Sequence, residues 1–309
     1  MKTNRKLYSA WGIFFALVAL FVIIVEAYHN FCYRYAEGYH YRILIDKDTI
    51  RENDEKEQEH MPSREVDADN EFYEQTKYGY LPKISSSGER VFDRYAVCAE
   101  TAPQKKLRVI VLVNYDDRIG VAVKLNGQKV TFIVPHHMPQ LEKVVKIIRE
   151  NGHEFFIQMP TQTSVAENEN EVIAPFLAND NLDNTLDKLF RLISITKYAL
   201  GVANTSKTLF TKSSRDMPAV AEELTKRGLA FFDVEKSNDL MTEISQNSGL
   251  IYIKPTKTFE ASDFDISKLR DGDILVIRLE NLETLIKKLP NNFMLTPVSA
   301  AVKSAHAVI

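Results

Sequence analysis

Asp, His, Asn and Gln residues collect in this chain where apolar runs give way to polar turns. Asn114, Asp116 and Asp117 follow the run 108–113, and His136 and His137 follow 130–134. Gln158 closes the run 154–158 with Gln162 shortly after it, Asn204 follows 200–203, and Asp233 follows 230–232. Carboxylates and imidazoles are the side chains that hold divalent cations and move protons near neutral pH. Asp116, Asp117 and Asp233 are therefore candidate catalytic groups, and His136 and His137 candidate metal ligands. Asn114, His136, Gln158, Gln162 and Asn204 are candidates for substrate contact, because amide and imidazole groups can both donate and accept hydrogen bonds. Neighbouring residues on an extended segment point in opposite directions, so at most one of His136 and His137 is expected to face a cleft.

Each residue also has a plainer role open to it. An Asp-Asp pair just past a strand suits an exposed turn, and Asp233 in GLAFFD equally suits the cap of a following helix. His153 is expected at a helix end, where a partly cationic ring suits the dipole. No Gly-rich phosphate loop, paired-Cys motif or HExxH occurs, which argues against nucleotide binding, structural zinc and zinc-protease chemistry.

The elements that must position these residues alternate between strand-like and helix-like patterns from Leu107 onward, the signature of α/β architecture on a mainly parallel sheet. Strands are expected at 108–113, 130–134, 154–158, 200–203, 230–232, 250–254, 274–278 and 293–296, several of them nearly all apolar, as strands covered on both faces should be. Leu141, Val144, Val145 and Ile148 fall on one helical face with a stop at Gly152, and Leu186, Leu189, Phe190 and Ile193 repeat the spacing. A further helix is expected from a capping Asp216 through Val220 and Leu224 to Gly228. Seven or eight βα units fit an incomplete or distorted (β/α) barrel better than an open sheet, although periodicity alone leaves the open sheet as the alternative. In either fold the strand-to-turn segments lie together at the carboxyl end of the sheet.

Composition narrows the class. The chain has 309 residues, 45% of them hydrophobic, enough for a substantial core. A formal net charge of -3 and the lack of a long basic stripe argue against a nucleic-acid partner. Residues 7–25 form an uninterrupted uncharged run, close to the roughly 20 residues a membrane-crossing helix needs. Lys2, Arg5 and Lys6 precede it, so residues 1–28 are expected to be a cytoplasmic N-terminus and single transmembrane anchor, with the remainder extracytoplasmic at the inner membrane. A cleaved signal peptide is the alternative. Residues 29–71 read as a Tyr-rich juxtamembrane segment and a charged tether, and Cys32 and Cys98 form no disulfide framework.

The ordered segments YGYLPKISSSGERVFDRYA, RVIVLVN, VTFIVPHHMP, GHEFFIQMP, PFLANDNLDNTLDKLFRLIS, GVANTSKTLFT, LTKRGLAFFD and LTPVSAAV resemble the divergent polysaccharide deacetylase family. The resemblance runs from about Tyr78 to near the C-terminus and implies a deacetylase-like domain over residues 72–309, with a lead-in arm at 72–106. It also implies a metal-dependent reaction, in which a divalent cation such as zinc polarises an acetamido carbonyl and activates a water. Against that pattern, Asn114 and Tyr115 stand where the family carries an Asp pair. Gln158 stands in place of a His, Gln162 lies near a Glu position, and Thr205 replaces the His of VNNHMGS while Asn204 is kept. Asp233 matches a family aspartate.

Three expectations follow. The first is a membrane-anchored, deacetylase-like protein of the cell envelope whose cleft binds an N-acetylated glycan, with little or no hydrolysis and no cofactor. The second is an active zinc-dependent glycan N-deacetylase with rearranged ligands drawn from Asp116 or Asp117, His136 or His137, and Asp233. The third is a non-enzymatic envelope scaffold.

Overall fold

The computed structural model describes residues 71–97, 104–115, 117, 119, 125, 127–162, 173–258 and 265–306. The expected anchor, juxtamembrane segment and tether lie outside the described residues, as do Cys32, Cys98 and Asp116. Among the described residues, no helix is long and apolar enough to cross a membrane.

The lead-in arm is a hairpin of β1 (Tyr73–Thr76) and β2 (Gly79–Pro82) followed by a short helix, α1 (Val91–Tyr95). Phe72, Tyr73, Leu81, Val91 and Phe92 are buried in the main core, so the arm is part of the domain's packing. The Tyr73 hydroxyl accepts a hydrogen bond from the Tyr198 amide at 2.8 Å, and the Phe92 amide donates to the Gly228 carbonyl at 2.9 Å. Gly228 has a φ of +67°, and a Cβ there would lie 2.9 Å from the Arg90 Cα. Its missing side chain thus permits both the left-handed helix stop and the approach of α1.

The main sheet contains β3 (Lys105–Leu112), β4 (Thr131–Pro135), β5 (Glu154–Gln158), β6 (Gly201–Asn204), β7 (Ala230–Asp233), β8 (Ile251–Ile253), β9 (Lys257–Thr258), β10 (Ile274–Arg278) and β11 (Phe293–Thr296). Every pairing in it is parallel. The order is β8-β7-β6-β5-β4-β3-β10-β9, with β11 beside the first half of β3. This is the cyclic order of a barrel cut between β8 and β9, since no pairing joins those two strands among the described residues. The curled parallel sheet is consistent with the expected incomplete or distorted (β/α) barrel. β4, β6 and β7 are buried along their whole length, which explains their continuous apolar character.

Helices α2 (Leu141–Glu150), α3 (Leu182–Ser194), α4 (Asp216–Lys226) and α5 (Asp239–Ser248) fill the connections between successive strands. Val144, Val145 and Ile148 of α2, and Leu189, Leu192 and Ile193 of α3, form their buried faces. The start of α4 differs from the expectation. Ser213 Oγ accepts from the Asp216 amide at 3.2 Å and donates to Asp216 Oδ2 at 2.6 Å, so Ser213 caps the helix and Asp216 closes a reciprocal pair. His153 also departs from its expected role. It is buried, and its Nδ1 accepts from the Val130 amide at 3.2 Å, which requires that nitrogen to be unprotonated.

At the amino end of the sheet the chain closes with α6 (Leu282–Lys288), β11 and α7 (Ser299–His306). The fully buried Glu154 carboxylate gathers that end together. It accepts from Thr131 Oγ1 at 2.7 Å, from the Ser299 amide at 3.0 Å and from the Val97 amide at 3.1 Å.

Candidate functional site

The register lines the carboxyl ends of β3 to β7 along one rim. Pro135 pairs with Gln158, Gln158 with Ala203, and Asn204 with Asp233. Side chains alternate between faces along a strand, so Gln158 shares a face with Ala203, and Asn204 and Asp233 point to the opposite one. The rim therefore carries two separate polar groups.

The first is buried. Asn204 and Asp233 are each 0% exposed. Asn204 Nδ2 donates to Asp233 Oδ1 at 3.0 Å and to the Ser206 carbonyl at 2.6 Å, and its Oδ1 accepts from Thr161 Oγ1 at 3.2 Å. Asp233 Oδ1 also accepts from the Glu235 amide at 3.1 Å, while Oδ2 accepts from Asn238 Nδ2 at 3.1 Å. Asn238 in turn donates to the Thr211 carbonyl and caps α5 by accepting from the Met241 amide. Burial raises the Asp233 pKa, the bonds from Asn204, Glu235 and Asn238 oppose that rise, and the neighbouring Glu235 charge adds to it. Burial likewise pushes the nearby Tyr252 phenol up.

This geometry places both side chains inside the packing. Each amide atom of Asn204 has a partner within the fold, and the cap of α5 is Asn238 rather than Asp233. Both hold the turns after β6 and β7 in place. Thr161, Ser206 and Asn238 complete that network and were not singled out in the sequence. Only Asn238 carried a signal, as a capping residue directly ahead of α5.

The second group faces the other way. Gln158 Nε2 donates to Thr205 Oγ1 at 2.8 Å, leaving its Oε1 without a protein partner among the described residues. Gln162 is exposed, with its amide bonded to the Phe176 carbonyl at 3.2 Å. After β3, the Asn114 amide donates to Asp117 Oδ2 at 2.6 Å and the Asp117 amide returns to the Asn114 carbonyl at 3.1 Å, so Asp117 is engaged in the local turn.

Between these positions stand the histidines. His137 stacks on Tyr115 with ring centroids 5.1 Å apart and planes 19° from parallel, and meets the His136 ring edge-on at 4.8 Å. His136 is buried, and neither of its nitrogens has a hydrogen-bond partner among the described residues. Burial, reinforced by His137, lowers the His136 pKa to about 4, and burial lowers that of His137 as well. Both rings are neutral at pH 7.

The described residues do not by themselves complete a divalent-cation site. Among the described residues no three His, Cys, Asp or Glu side chains form a metal-holding group. A ligating imidazole also has its second nitrogen fixed by a hydrogen bond as a rule, and His136 has none among the described residues. What this part of the rim holds is an amide carbonyl, a hydroxyl, the buried His136 imidazole and the Tyr115 ring, which is 47% exposed.

Residues 119–263 match the family described as divergent polysaccharide deacetylase. A search of curated proteins gave no match. Among solved structures, an uncharacterized protein from Agrobacterium tumefaciens superposes with a TM-score of 0.62 at 21% identity, covering 71% of this chain and 98% of that one. That likeness establishes the fold. The catalytic domain of a peptidoglycan N-acetylglucosamine deacetylase from Eubacterium rectale aligns at 14% identity over 66% of this chain and 93% of that one, with a TM-score of 0.38. A family 4 carbohydrate esterase from Streptomyces lividans, in complex with acetate, aligns at 12% identity over 63% and 93%, with a TM-score of 0.34.

Proposed function

We propose, for a chain that matches the divergent polysaccharide deacetylase family over residues 119–263, an envelope protein that binds an N-acetylated glycan at the mouth of its open barrel without a working metal centre. The observation that carries this reading is the chemistry of the rim. Gln158 and Thr205 present neutral donors and acceptors, and the described residues assemble no metal-holding group. Neutral hydroxyl and acetamido groups are complementary to such a surface, since amides pair with them without a charge to desolvate.

In this reading the residues divide by task. Gln158, Thr205, Asn114 and Gln162 provide hydrogen bonds to the sugar. Asn204 and Asp233 hold the turns that present them. Asp117 shapes the turn after β3. The apolar run at residues 7–25 supplies a single-pass anchor in the cytoplasmic membrane, and the charged stretch that follows gives the domain reach into the envelope.

The test uses the full chain in detergent micelles. Titration with chitotetraose is expected to saturate, and the combined Gln158→Ala and Thr205→Ala variant is expected to lose at least tenfold in affinity. Unchanged affinity in that variant would remove the assigned contacts. Stoichiometric zinc uptake accompanied by acetate release would instead establish an active deacetylase. The anchor is tested by protease treatment of intact spheroplasts, where cleavage of the domain from outside is expected and complete protection would contradict the orientation.

A further inference from the structure

Tyr115 combines exposure with a fixed geometry. The ring is 47% exposed, yet it lies nearly parallel to His137, which in turn packs edge-on against the buried His136. An aromatic ring held against one neighbour, and open to solvent elsewhere, is a preformed flat surface with little side-chain freedom left to lose on binding. Its π face is electron-rich and suits weakly positive C–H groups, such as those on one side of a pyranose ring. On the other side of His137, His136 is 6% exposed, and neither of its nitrogens has a hydrogen-bond partner among the described residues. A buried polar group without a partner calls for a physical explanation, and an absent ligand is one. A neutral imidazole offers one donor and one acceptor, which matches a hydroxyl or an acetamido group.

A cation explains the same atoms less well, because the histidine pair lacks a third ligand among the described residues. A charged ligand also fits poorly, since burial keeps both imidazoles neutral. Gln158 closes the neighbouring strand, where it pairs with Pro135, the residue directly before His136.

We propose that Tyr115, braced by His137, is the stacking platform for one pyranose ring of the bound glycan, and that His136 hydrogen-bonds a polar substituent of that ring. This rests on the reading of the rim as a glycan site and assigns its central subsite. Tyr115 stands at a position where the resemblance calls for an aspartate, so the change replaces a charged group with a stacking surface.

The experiment titrates chitotetraose into the full chain in micelles by calorimetry, comparing the unaltered protein with Tyr115→Ala and Tyr115→Phe. Tyr115→Ala is expected to weaken binding at least tenfold, while Tyr115→Phe stays within threefold, because the ring face is retained. Saturation should also move the His136 side-chain ¹⁵N resonances. If the unaltered protein binds and Tyr115→Ala binds equally well, the platform is overturned while the glycan reading stands. If the unaltered protein binds but the His136 resonances stay fixed, the assignment of His136 is overturned. If the unaltered protein does not bind, the glycan reading falls and the platform with it.

Discussion

Asn204 Nδ2 lies 3.0 Å from Asp233 Oδ1 across the β6–β7 pair, with both side chains fully buried, so two residues at the strand-end rim bond to each other inside the packing. Each satisfies the other, and each anchors the turn that follows its own strand. Asn204→Ala removes two donors and an acceptor from a buried network. It is expected to cost about 2–3 kcal/mol, the range for stranding buried polar partners. Urea unfolding measures this, and a cycle with Asp233→Ala should show the two losses to be strongly non-additive. Independent, additive effects would mean that the pair does not act as a unit.

The meeting of α1 with the end of α4 depends on Gly228. A Cβ there would stand 2.9 Å from both the Arg90 Cα and the Val91 nitrogen, on a residue whose φ is +67°. Gly228→Ala is expected to destabilise the fold by about 1–3 kcal/mol, through left-handed strain and displacement of α1. Urea midpoints check this. An unchanged midpoint would show that the lead-in arm is not tied to the domain here.

At the amino end of the sheet, Glu154 holds the start of α7 and the chain after α1 through the amides of Ser299 and Val97. Glu154→Ala should expose both amides to hydrogen exchange, raising their rates at least tenfold, while the amide of Val144 on α2 keeps its protection. A uniform rise across all three would point to global unfolding rather than a local clamp. Burial raises the Glu154 pKa, so ionisation of this group opposes folding as pH rises above the usual carboxylate range.

His136 acts in the opposite sense. Its folded pKa is lowered to about 4 from 6.5, chiefly by burial. Above pH 6.5 the ring is neutral in both folded and unfolded chains and contributes nothing to the pH dependence. As pH falls from 6.5 towards 4 the unfolded chain takes up the proton first, and stability declines. His136→Leu should remove this part of the decline, so the gap between the two stability curves changes between pH 6.5 and 4 and stays constant above. A gap independent of pH would contradict the buried, neutral ring.

The strands were legible to different depths for physical reasons. The runs 154–158, 274–278 and 293–296 match β5, β10 and β11, because apolar segments between sharp turn residues carry their boundaries in local sequence. Helix α1 has five residues and no helical repeat, and its burial comes from contacts with distant segments, so nothing local marks it. An incomplete barrel was legible from the number of βα units, but not the place where pairing stops, since that depends on whether β8 and β9 meet.

The candidate site was legible as a location rather than as a set of roles. Strand ends placed His136, Gln158, Asn204 and Asp233 along one rim, but the face each side chain takes is set by register with its neighbours. Gln158 pairs with Ala203, and that single offset sends Asn204 to the other side of the sheet. Tyr115 drew attention only as a departure from the family pattern, because a lone tyrosine gives no hint that His137 will brace it.

Calorimetric titration of the full chain with chitotetraose, once in EDTA and once with saturating zinc, tests the central claim most directly. A metal-free glycan cleft predicts saturable binding with the same affinity in both. Binding that vanishes in EDTA and returns with zinc would contradict it.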